Sequence, residues 1–323
     1  MAEAYNTLNG LIQFNDKNLA DLNVSDLLDR APLLQIIHTQ LASNGTLHKY
    51  LKQTTASSAG FRAPLAGLAK TASQDTLVTV TMKLIDGSFD TDVALADAYK
   101  GGRDAWLQLE LMRTMRTLMF TLERQVIYGT AQQTGNGYLS DAAGFAGLAD
   151  STDLDGTADD MVIAAATAGS TGDSQTSVWL LRHGQDDVSF VLGNEGRFVV
   201  DDEPTVIQKA ADTTALAAGQ FYPALFVPVT GWGGLQLGGK YSAARICNIE
   251  TKLTDDDMYN GLSLFPSSAP PNVIVMNRKA LKLLRESRTA TSPTGSPAPR
   301  PTEIDGIPIV VTDAVRSDEP VIA

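Results

Sequence analysis

Hydrophobic positions in this chain change their spacing several times, and each change marks an element. Val78, Val80, Met82 and Leu84 alternate with Thr79, Thr81 and Lys83, the period of two that a half-buried strand requires. Residues 48–55 are strand-like as well. Between the two runs, 56–75 is small and polar, with Gly60, Pro64 and Gly67. Two strands joined by so long a connection predict an extended hairpin with a projecting loop. The period then becomes helical. From Arg103 to Tyr128, Leu107, Leu111, Met115, Leu118, Leu122 and Val126 recur at spacings of three and four, while Arg113, Arg116, Glu123 and Arg124 lie largely off that stripe. Gly101-Gly102 introduces the helix and Gly129 stops it. At about 1.5 Å per residue it spans roughly 40 Å, the length of a structural beam.

The flanking regions are less regular. Residues 1–45 form an arm with one short helix, capped by Ser25 and broken by Pro32; no period organises its apolar residues, so it needs a partner surface to lie on. After the long helix, 129–156 is rich in Gly, Ala and Asp. Thr157 is expected to cap a helix through Ala168, with Asp159 and Asp160 in its first turn. Strand-like runs follow at Val178–Leu181, Ser189–Leu192, Phe221–Pro228 and Tyr241–Ile249. Thr254 opens a helix, 272–276 is a short buried strand, and Asn277 caps the amphipathic helix Arg278–Arg288. A proline-rich loop, 289–301, precedes a last strand at Ile307–Val311. No internal repeat is present, and the order of elements is α+β.

Composition changes this picture in one respect. Only 19% of residues are charged, against about 25% in typical soluble domains. Part of the surface is therefore expected to be covered by self-association. The net charge of -12 disfavours sequence-specific nucleic-acid binding. Against that acidic whole, Lys49, Lys52, Arg62 and Lys70 make the hairpin basic, which suits either a solvated face or a surface that sets register between copies. Cys247 is the single cysteine, so there is no internal disulfide framework and a reducing compartment is expected. No signal peptide is visible, and no apolar run reaches the roughly 20 residues that cross a bilayer. A soluble protein made in the cytoplasm, without a membrane partner, is the expectation.

Candidate chemistry does not converge. The run from Gly234 to Lys240 has the spacing of a phosphate-binding loop, but Tyr241 stands where Ser or Thr should hold magnesium and a strand follows instead of a helix; turn glycines are the better reading. Asp153-Leu154-Asp155-Gly156 imitates the middle of a calcium loop, yet Val162 occupies the bidentate glutamate position. Asp255, Asp256 and Asp257 fit a helix first turn better than a metal cluster. His38, His48 and His183 have no metal-ligand spacing, and Cys247 sits in an apolar strand. Trp106, Trp179 and Trp232 lack interleaved basic residues and are expected in core or interfaces. No catalytic residue, metal or cofactor is expected.

The succession of arm, projecting hairpin, long helix and mixed sheet resembles the major capsid proteins of tailed bacteriophages, with their Hong Kong 97 fold. Particular stretches carry the likeness: His48-Lys49-Tyr50-Leu51 leading to Gly60-Phe61-Arg62, Glu123-Arg124-Gln125-Val126-Ile127-Tyr128-Gly129, Gly144 to Leu148, Gly231-Trp232-Gly233-Gly234-Leu235 with Arg245-Ile246-Cys247-Asn248-Ile249, 272–276 with the helix after it, and Gly306 to Asp313. The resemblance covers nearly the whole chain. It implies an N-terminal arm at 1–45, an E-loop hairpin and return strand at 46–98, the spine helix and first part of a P-domain at 99–156, an A-domain with extra strands at 157–301, and a return to the P-domain at 302–323. It implies intersubunit contacts from Lys49, Lys52, Phe61, Arg62 and Lys70 in the E-loop, spine-helix roles for Arg113, Arg116, Glu123 and Arg124, and P-domain roles for Phe145, Leu148, Ile307 and Val310. Its partners would be copies of itself in pentamers and hexamers, a portal, a decoration protein, and packaged double-stranded DNA bound without sequence preference. The virion would be its final location after assembly in the host cytoplasm.

Two departures refine the expectation. Residues 1–45 leave no room for the long scaffolding segment that some members carry and lose to a protease, so an uncleaved arm and a separate scaffolding protein are expected. The type member crosslinks a lysine to an asparagine; Lys70 invites the comparison, but no asparagine lies in Gly306 to Ala323. The rivals are an encapsulin nanocompartment, which shares the fold but packages enzymes, and, from another class, a nucleotide-binding enzyme using Lys240. A non-covalent shell makes a definite prediction: purified particles boiled in detergent should run as a single monomer band, and a ladder of surviving oligomers would contradict it.

Overall fold

In a computed structural model of the chain, residues 31–130, 141–165, 174–196, 199–200, 204–210, 219, 221–290 and 297–322 are described. The expected helix after Ser25, most of the arm, and the end of the expected helix at 166–168 lie outside them. In chain order come β1 (Thr39–Leu41), β2 (Leu47–Thr55), β3 (Gln74–Thr81), β4 (Lys83–Asp86), β5 (Phe89–Asp92), α1 (Val93–Asp97) and the long α2 (Arg103–Tyr128). Then follow β6 (Val162–Ala164), β7 (Thr176–Leu181), β8 (Val188–Leu192), β9 (Val199–Val200), β10 (Thr205–Ala210), β11 (Phe221–Val227), β12 (Val229–Leu237) and β13 (Ala243–Ile249). The chain continues with α3 (Asp255–Ser263), β14 (Val273–Met276), α4 (Arg278–Ala290), β15 (Glu303–Ile304) and β16 (Ile307–Val311). The architecture is α+β, and α2 has the bounds its sequence pattern predicts.

Two units organise these elements. The smaller includes Leu84–Leu122 and Phe198–Gly231. Its three-stranded antiparallel sheet has the order β10-β11-β5. Asp92 caps α1 by accepting the Ala94 N–H at 2.8 Å. Gly102, at φ +85°, lets the chain turn into α2. The core of this unit is Ala96, Tyr99, Trp106, Leu109 and Leu225, and the buried Trp106 indole N–H is satisfied by Thr91 Oγ1 at 3.1 Å.

The larger unit comprises Pro32–Lys83, Glu123–Arg197 and Trp232–Ala323. It is built on a six-stranded mixed sheet, β15-β16-β14-β7-β13-β6. Every residue of β7, β13 and β14 is buried, as continuous apolar runs require when both faces of a sheet are covered. Helix α3 packs on β13 and β6, and α4 packs on β7. Thr254 caps α3 in a reciprocal box with Asp257. Arg288 of α4 binds the Asp255 carboxylate through Nε and Nη2, at 2.6 to 3.0 Å, which ties the two helices together. Gly261 brings α3 onto the sheet, for a Cβ there would stand 2.7 Å from Leu180 Cδ1. A second sheet joins β1, β8 and β12, and β2 pairs with β3 in an antiparallel hairpin.

Several expectations change. The helix expected from Thr157 is absent over its described part: turns around Asp159 lead into β6, which runs parallel to β13. Met161 and Val162 are buried, so the apolar run is used better on a sheet edge than on a helix face. Gly234 is not a turn glycine but lies inside β12, where a Cβ would meet Met82; Gly238 and Gly239 follow the end of the strand. Strands β16 and β14 pair in parallel, so ranges 157–301 and 302–323 share one sheet.

The C-terminus of α2 yields a stability prediction. Gly129 takes φ +57°, and a Cβ there would collide with Gly147 N and the Asp150 carboxylate. A left-handed L-residue costs roughly 1–2 kcal/mol and forced overpacking about 1–3 more. Gly129→Ala should therefore lose about 2 kcal/mol or more of subunit stability, read as a lower urea midpoint at unchanged slope.

Candidate functional site

The last two turns of α2 end inside the larger unit, and each polar side chain there fastens a different part of the chain. Glu123 is fully buried, not off the buried face as its place beside the apolar stripe suggests. Its Oε2 accepts the backbone N–H groups of Leu33 and Leu34 at 2.9 and 3.3 Å, and its Oε1 accepts the Thr312 hydroxyl. Among the described residues no cation shares these hydrogen bonds, and burial pushes its carboxyl above the usual range, opposed by the three donors. Gln125 donates to the Phe145 and Asp141 carbonyls and accepts the Asp141 N–H, holding the stretch that carries Gly144 to Leu148. Gly147 fits there because it has no Cβ to strike Gly129 N and the Gln125 carbonyl.

Tyr128 completes the set. Its hydroxyl donates to Glu319 Oε1 at 2.7 Å and accepts the Arg316 N–H at 2.8 Å. Glu319 Oε2 receives the Ser177 hydroxyl and the Arg245 guanidinium, the latter at 3.0 Å, and both members of this ion pair are buried. Arg245 also lies 4.6 Å over the Trp179 ring and donates to Ser177 at 3.0 Å. Burial, with the Glu319 charge second, holds the Tyr128 phenol well above its ordinary value. Such a pair adds little net stability, but removing one partner strands a buried charge at a cost of about 3–5 kcal/mol. The tail from Thr312 to Ile322 is thus pinned to the end of the helix, and Asn248 secures its far end by exchanging hydrogen bonds with Ile322.

The hairpin is the opposite case. One face of β2 and β3 packs on the sheet: Tyr50 donates to the Leu237 carbonyl at 2.7 Å, and His48 Nε2 meets Gln236 Oε1 at 2.7 Å. Because His48 Nδ1 accepts the Ser43 N–H, the proton lies on Nε2. The other face carries Lys49 opposite Thr79 and Leu51 opposite Leu77, all exposed. Every residue from 56 to 77 is exposed. Ser58 and Thr71 close the base of the loop at 2.8 and 3.0 Å. At the tip the Ala66 N–H returns to the Ala63 carbonyl at 3.1 Å, and Leu65 takes φ +68° after Pro64, a position that favours glycine. Phe61 and Leu65 are 106% and 104% exposed, so neither touches its own subunit to any extent.

The structure distributes the expected site residues unevenly. Lys49, Phe61, Arg62 and Lys70 are exposed on the hairpin and Lys52 is half-buried. Arg113 pairs with Glu110 at 2.8 Å, Arg116 is exposed, and half-buried Arg124 has its pKa lowered by burial. Phe145, Leu148 and Val310 are buried in their own subunit and Ile307 is half-buried, so these four serve the core. Arg245, Glu319, Ser177 and Thr312 were missed. The available signal was a charge inside an apolar run, as at Arg245. Lys240 pairs with Asp160, and a short turn and then β13 follow it, not a helix. Cys247 is fully buried, and its thiol is pushed up to about 11, mainly by burial.

Comparison with solved structures defines the class of protein. A chain of the bacteriophage Epsilon15 structure superposes with a TM-score of 0.66 at 16% identity, covering 100% of this chain and 98% of that one. The fold is therefore that of Hong Kong 97-like capsid shells. The bacteriophage JBD30 capsid matches with a TM-score of 0.49 at 12% identity, covering 96% and 99%. The SrpI encapsulin of Synechococcus elongatus matches at 0.44 and 10%, covering 76% and 96%. No curated protein matches the sequence. The family model for major capsid protein GP7 matches residues 16–323, and the chain belongs to that family. It is a capsid protein that builds a phage shell from copies of itself, and the virion is its location.

The buried carboxylate of Glu123 predicts a pH dependence. A raised carboxyl pKa means that the folded state holds the proton more tightly, so this contribution is fully present below about pH 4, the unfolded value, and is lost as pH rises through the folded one. In urea unfolding of the subunit, Glu123→Gln should gain on the unsubstituted protein as the pH is raised from about 4, the unfolded value. Parallel midpoint curves would remove the role.

Proposed function

We propose that the subunits form pentamers and hexamers that close into an icosahedral head around double-stranded DNA, with the hairpin as E-loop lying over the neighbouring subunit and residues 1–45 as an arm running beneath another. Residues 99–156 supply the spine helix and the start of the P-domain, and 157–301 the A-domain with its extra strands. Residues 302–323 make the C-terminal return to the P-domain. Lys49, Lys52, Phe61, Arg62 and Lys70 make the intersubunit contacts. A separate scaffolding protein, a portal and a decoration protein are its partners, DNA is enclosed without base recognition, and assembly takes place in the host cytoplasm. No catalytic step is required.

The observation that carries this reading is the hairpin. Leu51, Leu77, Phe61 and Leu65 together expose an apolar surface that a lone subunit leaves in water. Burying each on a neighbour is worth about 1.5–3 kcal/mol at full burial. Summed around a closed ring, contacts of that size outweigh the mutual repulsion of subunits with net charge -12. The test is negative-stain microscopy with gel filtration, on the protein expressed alone and with its neighbouring genes. Uniform shells or capsomers are expected, and replacement of 56–73 by a short turn should leave soluble, folded monomers. A solitary monomer from the intact chain under every condition would overturn the proposal, as would normal shells from the truncated one.

A further inference from the structure

The exposed tip has a counterpart on the same chain. A groove of about 300 Å³ opens in the smaller unit between Ile85–Gly87 and the α2 residues Thr114, Thr117, Leu118 and Thr121. It is built in advance of any partner. Gly87 lies so close to the helix that a Cβ would stand 2.6 Å from Leu118 Cδ1 and 3.4 Å from Thr114 Cγ2. The turn that walls the groove is held by Gly87 N–H to the Val229 carbonyl at 2.8 Å, Ser88 N–H to Asp86 Oδ1 at 2.8 Å, and Val229 N–H to Ser88 Oγ at 3.1 Å. Its volume is that of about ten waters at roughly 30 Å³ each, enough for one aromatic side chain.

Resting on the E-loop reading above, we propose that Phe61 of one copy occupies this groove on the next copy, with Arg62 set against Asp86 at its mouth. Three features converge on a second copy as the occupant. Phe61 is a fully exposed aromatic ring on a hairpin whose turn is closed by its own hydrogen bonds, so it is presented and not merely unburied. The charges match: Arg62 follows Phe61 directly on the basic hairpin, whereas the groove mouth offers exposed Asp86, and its own cation, Arg113, is engaged by Glu110. Knob and hole also belong to different segments of one chain, so the contact is not self-complementary and is of the head-to-tail kind able to close a ring. The threonines suit a removable fit: the Thr114 methyl faces the Gly87 side of the groove, and the Thr121 hydroxyl donates to the Thr117 carbonyl at 2.9 Å.

Engineered disulfides test this in intact particles. Phe61→Cys is combined in turn with Thr114→Cys, Thr117→Cys or Thr121→Cys; the native thiol, Cys247, is fully buried and does not compete. Mild oxidation of assembled shells should give a ladder of covalent multimers on a non-reducing gel for at least one pair, abolished by reductant. Phe61→Cys with Thr205→Cys, on the exposed strand β10, should give none. Well-formed shells in which no pair exceeds that control overturn the docking site and leave the E-loop reading intact; a parent chain that never assembles overturns the E-loop reading itself. Charge reversal covers the case in which the cysteine pairs do not assemble. Arg62→Asp and Asp86→Arg should each slow assembly several-fold, and together restore it. A double variant no better than the worse single one overturns the proposal.

Discussion

A long helix that ends inside a protein has to place its last polar side chains somewhere, and the larger unit is arranged around that requirement at the end of α2. Glu123, Gln125 and Tyr128 point in different directions over two helical turns, and each is saturated by a segment remote in sequence: 33–34 with Thr312, 141–145, and 316–319. Hydrogen bonds made at low dielectric are strong when satisfied and costly when broken. The hub therefore makes the early segment, the loop after the helix and the C-terminal tail depend on one another. Apolar packing alone would hold the sheet and its helices, but it would not specify where those three pieces run.

That division of labour explains why so much apolar surface can be left to neighbours. The unit does not need the hairpin for its own core; His48 and Tyr50 anchor its base, and beyond them the ribbon runs clear of the subunit. Two-stranded ribbons are marginal in isolation. This one persists because its anchored face is held by polar contacts to β12, while its outer face waits for a partner. Leu65 adds a small strain at the tip by occupying a left-handed position that glycine would take more readily. In the free subunit its side chain lies wholly in water, so no packing within the subunit offsets that strain.

How much of this was legible in the sequence follows from the range of the interactions involved. Helix α2 was legible to the residue, because its stripe and its flanking glycines are local signals. The starts of α3 and α4 were legible as well, because the caps Thr254 and Asn277 act within one turn, and so was the existence of the hairpin, although its second run divides at Met82 into β3 and β4 and α4 continues to Ala290. The helix expected from Thr157 failed because an open edge of β13 outcompeted local propensity, something no window of sequence contains. Gly234 resembles a turn residue in sequence, although it serves a close approach to Met82 inside β12. The hub was invisible for the same reason: Glu319 and Arg245 lie 74 positions apart, and a buried ion pair leaves no periodicity. Glu123 was misplaced because its charge argued for water, and only the donors from 33–34 and Thr312 make its burial tolerable. The capsid reading survived these errors because it rested on the order of elements, not on any one of them.

The two halves of the design also account for the charge. An interface that relied on apolar area alone would let copies stick in many registers, and a phage shell needs a few. A chain carrying net charge -12 repels its copies by default, so approach is favourable only where the sign is locally reversed. The hairpin supplies one such reversal: Lys49, Lys52, Arg62 and Lys70 are accompanied by a single acid, Asp75, before β3 ends at Thr81. On the proposed contact, apolar residues at the tip would convert a selected encounter into a held one. On the proposed E-loop contact, the repulsion between acidic copies restricts which contact they can make, and the hub that anchors the chain ends in the larger unit presents the hairpin in the same place on each copy.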